Sequence, residues 1–366
     1  MIAPLLALYA VTAVSLPSGR LVELPGSAGG SSIEAPASTL ALSQRGSLAV
    51  ITYPASPNDS DYSQLIVIRA NGTRVTLPAP PKSVLSSIAE NDGVAYFENV
   101  ALADDGTPLA TVAMYFSGAF NGTNEGILIW NGVSWRNPLA RRKLPIDPKN
   151  ATIAAAETPA HFVWNGDYTY TFGIIDDAEE RPHYLEDQAA TLDTSGVASL
   201  GFGLATEMRG RFVVGFSAEQ GLVEYGQPHP STALEWTGGT RTALGAGVAY
   251  GVNAAGAAVG DDEASTGAVR KPTLWSNGHA IRLSDASGSA YAIADDGTIV
   301  GVIGDHAFLI RGADAARTVV RLDSLVEPGW HIKGAYAIAE SGRILAIGNR
   351  AGAAPRVLLL DPGAGS

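Results

Sequence analysis

The chain has no cysteine among its 366 residues, which removes disulfides, thiolate metal sites and cysteine nucleophiles together. Charge is also scarce: Asp, Glu, Lys and Arg make up 16% of the sequence, with 24 basic residues against 36 acidic ones. The net charge of −12 argues against nucleic acid as a partner, because neutralising phosphates takes clustered Lys and Arg. No apolar run reaches the roughly 18–20 uncharged residues that a membrane-spanning helix needs, so no membrane span is expected. Met1 to Leu16 is apolar, but no Lys or Arg precedes Arg20 and Pro4 sits early, a pattern that reads as a strand better than as a signal peptide. Motifs for phosphate, dinucleotide or zinc binding are missing, as is a G-x-S-x-G nucleophile elbow. No cofactor is therefore evident beyond a calcium ion, considered below.

What the chain does have is 46% hydrophobic residues, 42 Gly and 21 Pro. That is too apolar for disorder and too rich in turn formers for a helical bundle, which leaves many short strands. A repeat organises them. Ala290–Gly304 (AYAIADDGTIVGVIG) followed by His306–Gly312 (HAFLIRG) and Thr318–Asp323 (TVVRLD) splits into four strands, A to D, with Gly297 at the A–B turn. A–B hairpins recur at Ala249–Gly260 and Ala335–Gly348, and more weakly at Thr39–Ile51, Val100–Ala113 and Ala189–Phe202. C–D hairpins recur at Leu65–Leu77, Ile127–Leu139, His161–Phe172, Ala233–Leu244 and Pro272–Leu283. Several turn on Asn-Gly, the pair that best tolerates the positive φ of a type I′ turn, so the sequon at Asn71 reads as turn chemistry.

Strand D is expected to end near Leu24, Leu77, Leu139, Phe172, Leu244, Leu283 and Leu322. The fold expected is one all-β domain over residues 1–366, a closed β-propeller of about seven four-stranded blades. The interval before Phe172 is short and the one after it long, so a six-bladed count stays open. Met208–Phe216 competes with Ala189–Phe202 as an A–B hairpin there. The last repeat supplies strands A, B and C, ending with Arg356–Leu360, whereas Tyr9–Leu24 looks like a C–D hairpin with nothing before it. Residues 1–24 are therefore expected to pair with 335–360 and close the ring, since pairing removes two open sheet edges.

The string A-I-A-D-D-G-T-I-V-G before His306-Ala307-Phe308-Leu309-Ile310 resembles the bacterial "HAF" extracellular repeat proteins, whose units run A-x-x-x-N-x-x-G-x-x-V-G and then H-A-F-L-W-x-x-G. The match is good over Ala249–Leu322, fair over Ala335–Leu360 and faint before Thr232, and Lys271-Pro272-Thr273 stands where a second His-Ala-Phe would be. The resemblance implies an extracellular or periplasmic location and a propeller-like fold, and lends no activity. The turns Ala103–Thr107 and Ala294–Thr298, both A-D-D-G-T, are similar to the sialidase Asp-box but lack its Ser and Trp.

Function is expected on the face that carries the B–C and D–A connections, because the A–B and C–D turns stay short while those connections lengthen and hold aromatics and acids. Candidate ligand-binding residues are Tyr53, Asp59, Asp61 and Tyr62 in Thr52–Gln64; Tyr115, Phe116 and Phe120 in Met114–Gly126; Tyr225 and His229 in Phe216–Thr232; and Trp330 and His331 in Asp323–Gly334. Asp261, Asp262 and Glu263 form the densest acid cluster, which reads as a solvated loop, a calcium site built from hard oxygen ligands, or one half of an acid/base pair. Asp305-His306 is either structural or a hydrogen-bonded acid/His pair. Two functions remain open: a monomeric binding or scaffold protein recognising a glycan, peptide or other extracellular ligand, and a hydrolase or lyase acting on a glycan or ester through acids and histidines of the same face.

Overall fold

The computed structural model describes residues 20–23, 40–52, 63–88, 94–116, 122–140, 142, 144, 151–168, 186–218, 231–262, 269–311, 318–351, 353 and 355–361. They form seven four-stranded antiparallel sheets. The first blade holds β2 to β5 (Leu40–Leu42, Leu48–Thr52, Gln64–Ile68, Arg74–Thr76) and the second β6 to β9 (Val94–Leu102, Pro108–Phe116, Gly122–Trp130, Trp135–Arg136). The third holds β10 to β13 (Thr152–Thr158, His161–Tyr168, Glu186–Asp193, Gly196–Phe202) and the fourth β14 to β17 (Leu204–Arg209, Phe212–Ala218, Ser231–Thr237, Thr240–Ala246). The fifth holds β18 to β21 (Val248–Val252, Ala258–Asp262, Lys271–Ser276, His279–Arg282) and the sixth β22 to β25 (Gly288–Ile293, Ile299–Ile303, His306–Arg311, Thr318–Arg321). The seventh combines β26 to β28 (Trp330–Ile338, Ile344–Arg350, Arg356–Asp361) with β1 (Arg20–Glu23).

The sheets form a ring because each must bury both of its faces. Seven hydrophobic clusters lie among the described residues, and each straddles one pair of neighbouring blades. The cluster of Leu40, Leu48, Val50, Leu345 and Val357 joins the seventh blade back to the first. The fold is thus a closed seven-bladed β-propeller, and the six-bladed alternative falls away. β1 pairs antiparallel with β28 in the register Arg20↔Asp361 to Glu23↔Leu358, so the N-terminal strand supplies strand D of the last blade. The remainder of the expected hairpin, before Arg20, lies outside the described residues.

One stretch of register differs from the sequence reading. His161–Tyr168 is strand B of the third blade, and strand D of that blade ends at Phe202 rather than near Phe172. Ala189–Phe202 falls within the C–D pair, and Met208–Phe216 belongs to the A–B hairpin of the fourth blade. Asn165-Gly166 is not a turn but mid-strand: the Asn165 amide accepts from Ala205 N–H at 2.8 Å and donates to Ala205 C=O at 2.9 Å, clamping the third blade to the fourth. At Asn277-Gly278 the expected turn is present, with φ of 53° and 76°.

The glycines of the repeat have two separate causes. Gly297 sits at the A–B turn with φ +81° and open space around it, as do its counterparts Gly256 and Gly342 in φ, at 79° and 81°. Gly301, in strand B, faces a β-bulge in strand A, where a Cβ would lie 2.1 Å from Ser289 O. Replacing Gly297 by Ala should therefore cost only about 1 kcal/mol of left-handed strain, while Gly301→Ala should cost about 3 kcal/mol or more because backbone must move. Chemical denaturation of the two variants checks the order, which reverses if the turn alone sets the requirement. Removal of residues 1–24 should leave β28 as an open edge, so the truncated chain is expected to melt lower and to self-associate; scanning calorimetry and light scattering would register both.

Candidate functional site

The innermost strands end in two different environments. At the A–B turn end, Arg209 of the fourth blade reaches across the ring. Its guanidinium bonds Asp104 of the second blade at 2.8 Å and Asp295 of the sixth at 2.9 Å, with Glu340 of the seventh at 4.0 Å. The turns are stitched to one another around it. Glu340 N–H donates to Gln44 C=O at 3.1 Å and Asp104 N–H to Glu157 C=O at 2.8 Å. Asp295 N–H donates to Glu340 Oε1 at 2.8 Å, Ala254 N–H to Asp295 Oδ1 at 2.7 Å, and Gly210 N–H to Glu157 Oε1. An exposed ion pair contributes little, but the Arg209 side chain is only 14% exposed and bonds two carboxylates at once, so this hub ties together blades far apart in sequence. In both A-D-D-G-T turns the second Asp closes the turn, through Thr107 N–H and Thr298 N–H at 2.8 Å each, and the first faces Arg209.

The opposite end carries aromatics. β18, β22 and β26 each contain a bulge whose extra residue is a tyrosine: Tyr250, Tyr291 and Tyr336. A bulge re-aims the side chain that it inserts. The three rings form a ladder, with centroids 5.2 Å apart for Tyr250 and Tyr291 and 5.0 Å for Tyr291 and Tyr336. Their hydroxyls point toward the long-loop end. That of Tyr250 lies 3.4 Å from Arg270 and bonds Asp261, Tyr291 bonds Ser289, and a Cβ on Gly334 would meet the Tyr336 hydroxyl at 2.7 Å. Burial raises the pKa of all three phenols, so they are neutral hydrogen-bonding groups at physiological pH. Each of the three residues is half-buried.

Asp261 lies beneath this ladder. It is wholly buried, accepts from Ser289 Oγ at 2.7 Å and has Arg270 at 3.9 Å. Asp262, next on β19 and hence on its other face, pairs with Arg282 at 2.8 Å. The two acids that the sequence places side by side thus serve different arginines; Glu263 lies outside the described residues.

Of the other candidates, Trp330 and His331 lie inside β26 and not in a D–A loop, because that strand runs nine residues and absorbs two bulges. Trp330 is buried under Arg350, whose guanidinium sits 5.1 Å above the ring. His331 faces His306, with ring centroids 4.7 Å apart, so the Asp305-His306 pair meets a second histidine. Tyr115 and Phe116 end β7, pairing in register with Thr123 and Gly122 of β8. Tyr53, Asp59, Asp61, Tyr62, Phe120, Tyr225 and His229 lie outside the described residues. Sequence reasoning missed Arg209, Asp323 and the tyrosines, although the recurrence of Ala-Tyr at Ala249, Ala290 and Ala335 was a usable signal for the ladder.

No family model matches the chain, and no curated protein matches it in sequence. Solved structures do match in fold. The β-propeller domain of the Trilobed protease from Pyrococcus furiosus superposes with a TM-score of 0.56 at 11% identity, over 89% of this chain and 94% of that one. It is described as having an open velcro topology, whereas here β1 and β28 share a blade. Acylaminoacyl peptidase from Pyrococcus horikoshii gives a TM-score of 0.53 at 10% identity, over 88% of this chain and 50% of that one, so the chain spans about half the length of that peptidase. At such identities the likeness is one of fold.

Glu207, on β14 beside the Arg209 hub, yields a pH signature. Burial, the largest cause, pushes its carboxyl up to about 7 against the Met208 N–H bond and the Arg209 charge, and Asp104 and Glu157 add to the rise. The folded state therefore holds a proton that the unfolded state releases above its ordinary 4.5, and stability falls as pH rises from that value through 7. Glu207→Gln should match the parent in stability at pH 4 and exceed it at pH 8 by on the order of 3 kcal/mol. Thermal melts at the two pH values test this; equal behaviour at pH 8 refutes the burial of the charge.

Proposed function

We propose that this chain is a binding propeller of the cell exterior that recognises a glycan at the long-loop mouth of its channel. The observation that carries the reading is the Tyr250–Tyr291–Tyr336 ladder. Three half-buried tyrosines from the inner strands of successive blades form a continuous row of rings, which suits the C–H faces of sugar rings, and their hydroxyls with Arg270 would supply the polar contacts that orient such a ligand. The ladder lies at the opposite end of the inner strands from the Arg209 hub, on the side of the B–C and D–A connections. The extracellular location rests on the likeness of Ala249–Leu322 to the HAF-type repeats. A hydrolytic reading would use Glu207, whose carboxyl burial pushes up to about 7, as a general acid. Glu207 lies beside Arg209 at the A–B turn end, away from the ladder, so binding is the better account of the aromatic end.

The test is a screen of the purified chain against immobilised oligosaccharides, with immobilised peptides alongside. Tyr291→Ala should weaken binding of the captured glycan by several-fold to about tenfold, the scale of one lost aromatic stacking contact, and Tyr291→Phe by less. Capture of peptides alone, or glycan binding unchanged in a folded Tyr291→Ala variant, would overturn the assignment.

A further inference from the structure

The junction between the sixth and seventh blades, on the long-loop side, gathers two imidazoles between two carboxylates. His306 begins β24, His331 is the second residue of β26, Asp305 sits in the B–C turn of the sixth blade, and Asp323 follows β25. His306 Nδ1 lies 3.0 Å from Asp323 Oδ2, and His331 Nδ1 lies 3.6 Å from the same oxygen. On the far side of both rings, Asp305 is 3.0 Å from His306 Nε2 and 3.8 Å from His331 Nε2. The other Asp323 oxygen accepts from Ile332 N–H at 2.6 Å, which fixes the carboxylate and aims Oδ2 at the imidazoles. The His306, His331 and Asp323 side chains are 29%, 34% and 20% exposed, enough for an ion to enter.

We propose that His306, His331 and Asp323 form a binding site for a divalent transition-metal ion of the zinc class. A tetrahedral ion with bonds of about 2.0–2.1 Å separates its ligands by roughly 3.3 Å, and the two imidazole-to-carboxylate distances bracket that spacing. Two imidazoles select zinc-like ions over calcium, which takes oxygen ligands. Asp305 occupies the outer position of a carboxylate–histidine–metal arrangement, holding the far ring nitrogens so that the near ones face the ion. Three ligands leave a fourth position for water or a ligand group. Arg321 is the competitor: its guanidinium nitrogen lies 2.5 and 2.7 Å from the His306 ring nitrogens and 3.1 Å from Asp323 Oδ2. Its side chain is 57% exposed, so it can swing into solvent when an ion enters.

Titration of the EDTA-treated full chain with Co2+ gives the direct readout, because tetrahedral nitrogen and oxygen ligation produces an intense visible d–d band. The band should saturate at a single ion per chain, and Zn2+ but not Ca2+ should abolish it. His306→Ala and His331→Ala should each weaken binding by about a hundredfold or more, and Asp305→Asn by about tenfold to a hundredfold. Arg321→Ala should bind at least as tightly as the parent, and His279→Ala, on the exposed strand β21, should match it. Zn2+ should also raise the melting temperature of the unmutated chain, a measurement independent of whether the variants fold. The proposal fails if the parent shows no band and no thermal shift with Zn2+, if the band survives in the double His306→Ala, His331→Ala variant, if His279→Ala removes it, or if Arg321→Ala weakens it.

Discussion

A sheet that is apolar on both faces cannot stop at an edge of the molecule; it needs a neighbour on either side, and seven such sheets satisfy one another only by closing a circle. This requirement organises the rest of the structure. It sets the apolar clusters between the blades, where Trp164, Trp236 and Phe308 are fully buried, and not in a central core. It makes the last blade borrow β1, and it gathers the inner strands around an axis where side chains from non-adjacent blades meet. Arg209 and the tyrosine ladder both occupy that axis, one at each end.

Much of the architecture was legible because the repeat spells it locally. The string A-Y-A-I-A-D-D-G-T-I-V-G encodes a bulged strand, a turn needing positive φ and a strand whose glycine lets the bulge come close, and each requirement is met within a dozen or so residues of chain. Reading failed where a residue's role was not local. Asn165-Gly166 carries the turn pair of its neighbours, but the Asn amide is committed to the backbone of the next blade, a contact that no hairpin pattern announces. The wrong assignment of one pair then displaced the whole third blade.

The site was less legible for the same reason, magnified. Asp104, Arg209, Asp295 and Glu340 are ordinary turn and strand residues in sequence, and only closure of the ring brings them together. His306 and His331 lie on β24 and β26, with β25 between them in the chain, and the carboxylate between them, Asp323, reads as the end of strand D. Asp261 stood out as part of an acid cluster, yet alternation along β19 buries it and turns Asp262 the other way, so adjacency in sequence became divergence in space. Conversely, Trp330 and His331 were singled out as loop residues, while the bulges of β26 let that strand run through them.

The pairing of Arg20 with Asp361 bears on how the ring would respond to force. Arg20 opens β1 and Asp361 closes β28, so the residues at which the chain enters and leaves this seam face each other. Tension applied between them would fall first on that single pair and then on each following pair in turn, so the seam would open like a zipper and not resist as a sheared ladder. Tension applied at one of them alone would not load the seam in this way. The ring is therefore robust when tethered by one end and weak when stretched between both.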